Sequence, residues 1–256
     1  MKIYIDAGHG GDSIGATYKG RKEQDDCLRL ALAVKKQLLT QKGVEVKLSR
    51  ETDVNPSINT RATEANVWGA DYFLSLHRNA FVPNEAAGVE AWVYSKVSTQ
   101  GDTYKAAENI VNKVCAATGY KNRGVKRGAA SYADYGVNSL TNMSSCLLET
   151  GFIDNDKENA IFDSKFDEMS KALAIGVVEA CGGKWTEAAA ETNTDDGVLY
   201  RVQVGAFKSK ANAEAYAEKA RAAGFDAFVT VAGDVDGDGK ITAADARDAL
   251  RASVGL

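Results

Sequence analysis

The sequence predicts an α/β fold, a mostly parallel sheet with helices on both faces, followed by a small βαβ module and a loop-helix segment. Three observations carry this reading. From Met1 to about Gly183, apolar runs of strand length alternate with longer segments of helical period, the pattern of a parallel sheet covered on both sides. Residues 184–197, KWTEAAAETNTDDG, are polar and acidic with no apolar period and read as a linker. Beyond them lie LYRVQVGAF, a helical stretch from Lys210 to Ala223, FDAFVTV, and a final loop dense in aspartate.

The strand-like runs are Ile3 to Asp6, Val44 to Ser49, Tyr72 to Leu76, Gly88 to Tyr94 and Cys146 to Glu149. The helical ones are Glu23 to Gln41, Ile58 to Trp68, Thr103 to Thr118 and Lys165 to Cys181. In EQDDCLRLALAVKKQLL the residues in phase with Glu23, namely Cys27, Leu30, Ala31, Val34 and Leu38, form one apolar face, so Glu23 points inward. A buried carboxylate without a partner is costly and calls for a cation or a proton.

Composition narrows the class. Hydrophobic residues at 45% and charged residues at 26% describe a globular chain, and 256 residues allow one full-size domain plus something small. No apolar run approaches the roughly 20 residues of a membrane span, so membrane insertion is not expected. A formal charge of -4 argues against a nucleic-acid partner. Met1-Lys2 leads straight into the first strand, which leaves no room for a signal peptide; the expectation is a cytoplasmic protein until something releases it. The four cysteines, Cys27, Cys115, Cys146 and Cys181, lie in apolar patterns without CxxC spacing and read as buried reduced thiols.

The chain has two histidines, His9 and His77, and each sits where an apolar run ends in a loop, IYIDAGHGG and YFLSLHRNA. In open α/β sheets the ligand crevice lies beyond the carboxyl ends of the strands, so two imidazoles placed there can converge. Two histidines and a carboxylate with an open position, plus a second carboxylate nearby, make a zinc site that activates water. Glu23 and Glu149 are the carboxylate candidates, the latter ending the run SSCLLE. Sequence physics does not say which of the two would bind metal.

These residues are part of an ordered set: DAGHGG around His9, KE at Lys22-Glu23, SRETD at Ser49 to Asp53, Arg61 with Asn66, GADYFLSLHRNA around His77, RGVK at Arg123 to Lys126, and LLETGFIDN around Glu149. Residues 1–183 thereby resemble the zinc-dependent N-acetylmuramoyl-L-alanine amidases of the type 3 family. The resemblance implies His9, Glu23 and His77 as zinc ligands and Glu149 as the catalytic carboxylate. It implies hydrolysis of the amide between N-acetylmuramic acid and L-alanine in peptidoglycan, with glycan strands and stem peptides as partners. This chain has Ser144 where the family usually has a proline ahead of the last strand. Regulated members carry an extra helix between the second histidine and the catalytic glutamate; here that interval is already filled by a strand, a helix and the RGVK loop, so an unplugged site is expected.

Residues 198–232 resemble one repeat of the SPOR peptidoglycan-binding module, and the arrangement resembles the mother-cell lysis amidases of spore formers. Residues 233–256 resemble one calcium repeat of a dockerin, with Asp234, Asp236, Asp238, Lys240, Thr242 and Asp245 at the ligand positions. A lone βαβ unit leaves sheet edges unpaired, which a weak homodimer through residues 198–256 would complete; the rival is a monomer whose calcium helix folds back on the βαβ half. Two alternatives to an amidase are a catalytically idle wall-binding protein and a calcium-dependent anchoring protein. The chemistry also fits a phage lysin released by a holin.

Overall fold

The structure, a computed structural model, describes residues 1–129, 135–187 and 209–222. It divides into two compact units, Met1–Thr192 and Asn193–Leu256. In the first unit the strands, numbered along the chain, are β1 (Lys2–Ala7), β2 (Thr17–Tyr18), β3 (Arg21–Lys22), β4 (Glu45–Leu48), β5 (Tyr72–Asn79), β6 (Val89–Val93), β7 (Asn122–Arg127) and β8 (Ser144–Phe152). Its helices are α1 (Glu23–Leu38), α2 (Ile58–Trp68), α3 (Asp102–Thr118), α4 (Gly136–Ser139), α5 (Asp156–Ser164) and α6 (Phe166–Ala180).

Six strands form one sheet in the order β4-β1-β5-β8-β6-β7, and β2 pairs with β3 as a separate hairpin. β4, β1, β5 and β8 run parallel. β6 runs antiparallel to β8 and carries β7 parallel to itself, so the sheet is mostly parallel with one reversed edge. The reversal is invisible to a reading of alternating strands and helices. β7 itself was expected as a loop, and its half-exposed residues NRGVKR lack an apolar run to announce it.

Alternation along each strand sorts the side chains into two layers. Ile3, Ile5, Leu74, Leu76, Cys146, Leu148 and Ala91 belong to the large core shared with α1, α3 and α6. Tyr4, Phe73 and Leu147 face the other way, into a smaller cluster with Ala65 of α2 and Val137 of α4. Each large apolar side chain buried in this way contributes about 1.5–3 kcal/mol. Helices thus cover both faces, as the alternation requires. α2 starts at Ser57, whose hydroxyl accepts from the Thr60 N–H at 3.1 Å, and stops at Gly69, left-handed at φ 70. α1 ends at Leu38 rather than Gln41, and α5 is a separate helix that the sequence reading did not mark.

Cys27 and Cys146 are buried and Cys115 and Cys181 half-buried, all four as free thiols. No helix among the described residues is long and apolar enough to cross a membrane. The start of the segment read as linker lies against the first unit: Gln41 exchanges two hydrogen bonds with the Thr186 backbone, both 2.9 Å, and Trp185 packs on the core. In the second unit the described element is α7 (Lys210–Ala222), where a helix was expected from Lys210 to Ala223. The two strands of that βαβ unit, the calcium positions Asp234, Asp236, Asp238, Lys240, Thr242 and Asp245, and, apart from residues 209–222, the segment expected to dimerise lie outside the described residues.

Candidate active site

Strand β1 delivers the first histidine through a loop of unusual backbone. His9 is left-handed at φ 59, a conformation that a non-glycine residue adopts only when its surroundings impose it. Two buried arginines impose it. Arg61 donates to the Ala7 and His9 carbonyls at 2.7 and 2.8 Å, and Arg50 donates to those of Ala7 and Gly8 at 3.0 and 2.8 Å. Arg61 is neutralised by Asp6 at 2.5 Å. Asp6 also accepts from Ser75, its register partner on β5, at 2.7 Å. Burial works against the Asp6 carboxylate, but Arg61, Ser49 and Ser75 hold its pKa below the ordinary value.

Two glycines are required by close approach. A Cβ on Gly8 would stand 2.5 Å from the His77 ring, so this position sets the plane on which that imidazole lies. Gly15 has φ +68, and a Cβ there would stand 2.5 Å from Glu23 Oε2 and 2.7 Å from the His9 ring.

The three residues expected to bind metal converge. Glu23 opens α1 and is buried, with one carboxylate oxygen turned to each histidine: Oε1 to His77 Nδ1 at 2.9 Å, Oε2 to His9 Nε2 at 3.1 Å. Backbone N–H groups complete it, Arg78 N on Oε1 at 3.0 Å and Ala16 N on Oε2 at 2.8 Å. Burial favours a neutral Glu23, yet the hydrogen bonds from His77 and then His9 hold its pKa well below the carboxylate range. For His77 burial again opposes charge, and Glu23 outweighs it, so the pKa is raised. The other ring nitrogen of His9, Nδ1, meets Ser13 Oγ at 3.1 Å, which fixes the ring's orientation. Each of the three offers a ligand atom, and these atoms lie within 4.8 Å of one another.

Glu149 lies on β8 directly beside His77 in the parallel register. It is buried, its Oε2 has no hydrogen-bond partner, and its pKa is pushed up to about 7. Burial is the main cause; His77 opposes it, while the charges of Glu23 and Glu90 add to it. Glu90, across the sheet on β6, is held by Arg123 and Lys126 at 2.5 Å each and by Asn79 and Trp92 at 3.1 and 3.0 Å. The RGVK motif is therefore the counter-charge of Glu90. Asn66, the partner of Arg61 in the sequence pattern, binds the Leu140 carbonyl and the Asn142 N–H, both at 2.8 Å, and so fixes the segment that follows α4.

A cavity of about 580 Å³ opens over this cluster and is lined by His9, Glu23, His77 and Glu149 together with Ile58, Tyr135, Val137 and Leu147. α4 forms part of its wall; residues 130–134 just before it are outside the described residues.

Residues 3–180 match the N-acetylmuramoyl-L-alanine amidase family. This chain belongs to that family. The amidase is similar over nearly its whole length to a sporulation-specific N-acetylmuramoyl-L-alanine amidase of Bacillus subtilis, with 37% identity over 232 residues, 90% of this chain and 84% of the relative. An endolysin of Bacillus phage SPP1 is 36% identical over 182 residues, 69% of this chain and 65% of the endolysin. Among solved structures, the catalytic domain of CwlV, an N-acetylmuramoyl-L-alanine amidase from Bacillus (Paenibacillus) polymyxa var. colistinus, superposes with a TM-score of 0.64 at 29% identity, covering 72% of this chain and 99% of that one. A second, from Clostridium difficile 630, gives 0.65 at 28%, covering 72% and 98%. The activity is N-acetylmuramoyl-L-alanine amidase activity on peptidoglycan. Residues 191–251 match the SPOR domain, a peptidoglycan-binding module, over a longer stretch than the 198–232 read from sequence and across the aspartate-rich loop.

Sequence reasoning missed Asp6, Arg50 and Glu90 as parts of the site, and named Arg61 without a role. Asp6 and Glu90 each interrupt an apolar strand run, IYIDA and VEAWV, and a charge at such a position signals a buried counter-ion.

Proposed function

We propose that the amidase works as a zinc hydrolase in which His9, Glu23 and His77 hold the ion and Glu149 moves the proton. The donor set fits. Tetrahedral donors about 2.0–2.1 Å from zinc stand about 3.3 Å apart. Glu23 already sits 2.9 and 3.1 Å from the two imidazole nitrogens. Two neutral imidazoles and one carboxylate leave a coordination position free, the pattern of catalytic rather than structural zinc. When bound, zinc supplies Lewis acidity toward the scissile carbonyl and lowers the pKa of a bound water to roughly 7.

The observation that carries the assignment of Glu149 is its unpartnered Oε2 beside the ligand cluster, in a carboxyl poised near neutrality. Such a group takes a proton from the attacking water and returns it to the alanine nitrogen as the carbon–nitrogen bond breaks, leaving a lactyl carboxylate and a free amino terminus. Glu23 is excluded from that task because both its oxygens are occupied and its proton affinity is low. The test is Glu149→Gln: hydrolysis is abolished while zinc stays near one equivalent, whereas His9→Ala and His77→Ala lose both. Substantial turnover in the Gln variant would remove Glu149 from this role.

The setting we favour is wall lysis during sporulation. The sporulation-specific relative matches 90% of the chain, whereas the phage endolysin matches 69%. On this reading the SPOR segment keeps the enzyme on the wall it has begun to process. The loop from Asp234 to Asp245 is read as a calcium site that orders the end of the chain; removing calcium should raise hydrogen exchange after Gly233 and leave turnover on soluble muropeptides unchanged.

A further inference from the structure

We propose that Arg78 is a positioning residue for the metal ligands, acting through Asp26 to hold the first turn of α1 against the end of β5; this rests on the zinc reading above. Arg78 follows His77 directly, at the irregularity that interrupts the β5–β8 register between His77 and Asn79. There it is fully buried, with Nη1 on Asp26 Oδ2 at 2.6 Å and Nη2 on Asn159 Oδ1 at 2.8 Å. Its guanidinium lies over the Phe162 ring, 4.2 Å from the centroid. Asp26 stands three residues after Glu23, in the same turn of α1, and also accepts from Arg21 Nε at 2.6 Å. The Arg78 backbone N–H meanwhile donates to Glu23 Oε1 at 3.0 Å, next to His77 Nδ1 at 2.9 Å. Residues 77–78 and 23–26 are therefore joined by three separate contacts, two at the ligands and one behind them.

The N-cap residue of α1, Lys22, makes no side-chain cap. Glu23, Asp25 and Asp26 suit the positive end of the helix dipole, and the contacts from Arg78 fix where Glu23 and Asp26 stand in that turn. A simple packing role does not account for Arg78, since a buried guanidinium is costly and a methionine would fill the same space without leaving a polar atom such as Nε without a partner. A charge kept there at such a cost is explained by what it orients. Metal ligands lose about 10–100-fold in affinity when the contacts that orient them are removed.

The test measures zinc affinity of the full chain by competition with a chromophoric chelator, alongside thermal unfolding of the chelated protein. We expect Arg78→Met and Asp26→Asn to bind zinc about 10–100-fold more weakly than wild type while still folding, and Arg78→Lys to recover part of the loss. Wild-type affinity in a folded Arg78→Met overturns the proposal. If that variant does not fold, Asp26→Asn decides: weakened affinity supports the brace, and unchanged affinity overturns it. Failure of the underlying zinc reading looks different, because then the wild-type chain itself shows no tight zinc.

Discussion

Glu90 and Glu149 stand directly opposite one another across the antiparallel pair β6–β8, and the two carboxylates are treated unequally. Arg123 and Lys126 close on Glu90, while Glu149 Oε2 is left without a partner. Opposed residues of this kind bring their side chains within about 4.5–5.5 Å at Cβ, close enough for each charge to act on the other. The result is a pair with divided roles. Glu90 stays ionised, its burial outweighed by Lys126 and Arg123. Glu149 holds its proton up to about neutral pH.

That division makes the fold less stable as the pH rises toward neutrality. The Glu149 pKa is about 7 in the folded chain against 4.5 as its ordinary value. The stabilisation from its neutral form is complete below about pH 4.5 and is lost as pH rises through about 7, a loss of about 3 kcal/mol. In chelated protein, Glu149→Gln should therefore gain stability over wild type between about pH 5 and 8 and show little advantage below it. Denaturant unfolding at a series of pH values checks this; parallel curves for the two proteins would refute it.

Gly8→Ala tests the surface on which His77 rests. The added methyl would lie 2.5 Å from Cε1 and 2.6 Å from Nε2 of the His77 ring, so the imidazole has to shift. We expect zinc affinity and kcat/KM each to fall about 100-fold, in line with the cost of an ångström-scale misplacement, with little change in the circular dichroism spectrum. Wild-type zinc content with full activity would show that the ring can move freely.

Arg61→Met removes the guanidinium that pairs with Asp6 and holds two carbonyls of the His9 loop. It leaves a buried carboxylate uncompensated, which costs about 3–5 kcal/mol. Adding Asp6→Asn to the same chain should return part of that stability but none of the lost activity, because the loop carbonyls remain unheld. Recovery of activity in the double variant would assign Arg61 to charge balance alone.

Digestion of purified peptidoglycan should release L-alanine amino termini without new reducing sugars. The count of each product, followed over time, separates amide from glycosidic cleavage, and new reducing ends would point to a glycosidase.

Much of this site was readable because its chemistry is concentrated in rare residues. His9 and His77 are the two histidines of the chain, and the in-phase apolar residues after Glu23 fix the face on which it lies. What stayed hidden were contacts between charges distant in sequence. Arg50, Arg61 and Arg78 are ordinary cations until the fold shows their partners at Gly8, Asp6 and Asp26. Strand direction was hidden for a similar reason: VEAWV reads the same whether β6 runs with β8 or against it, and running against it is what places Glu90 opposite Glu149. Ser144, the departure from the family proline, opens β8 and binds Thr103 Oγ1 at 2.8 Å, away from the four residues of the site.

The left-handed backbone of His9 has one more implication. Its shape is set from a distance in sequence: Arg50 and Arg61 grip the carbonyls of residues 7–9 from a loop and a helix more than forty residues away. A substitution at either arginine therefore reaches the His9 imidazole without touching it, and the cavity can be reshaped from positions that do not line its floor.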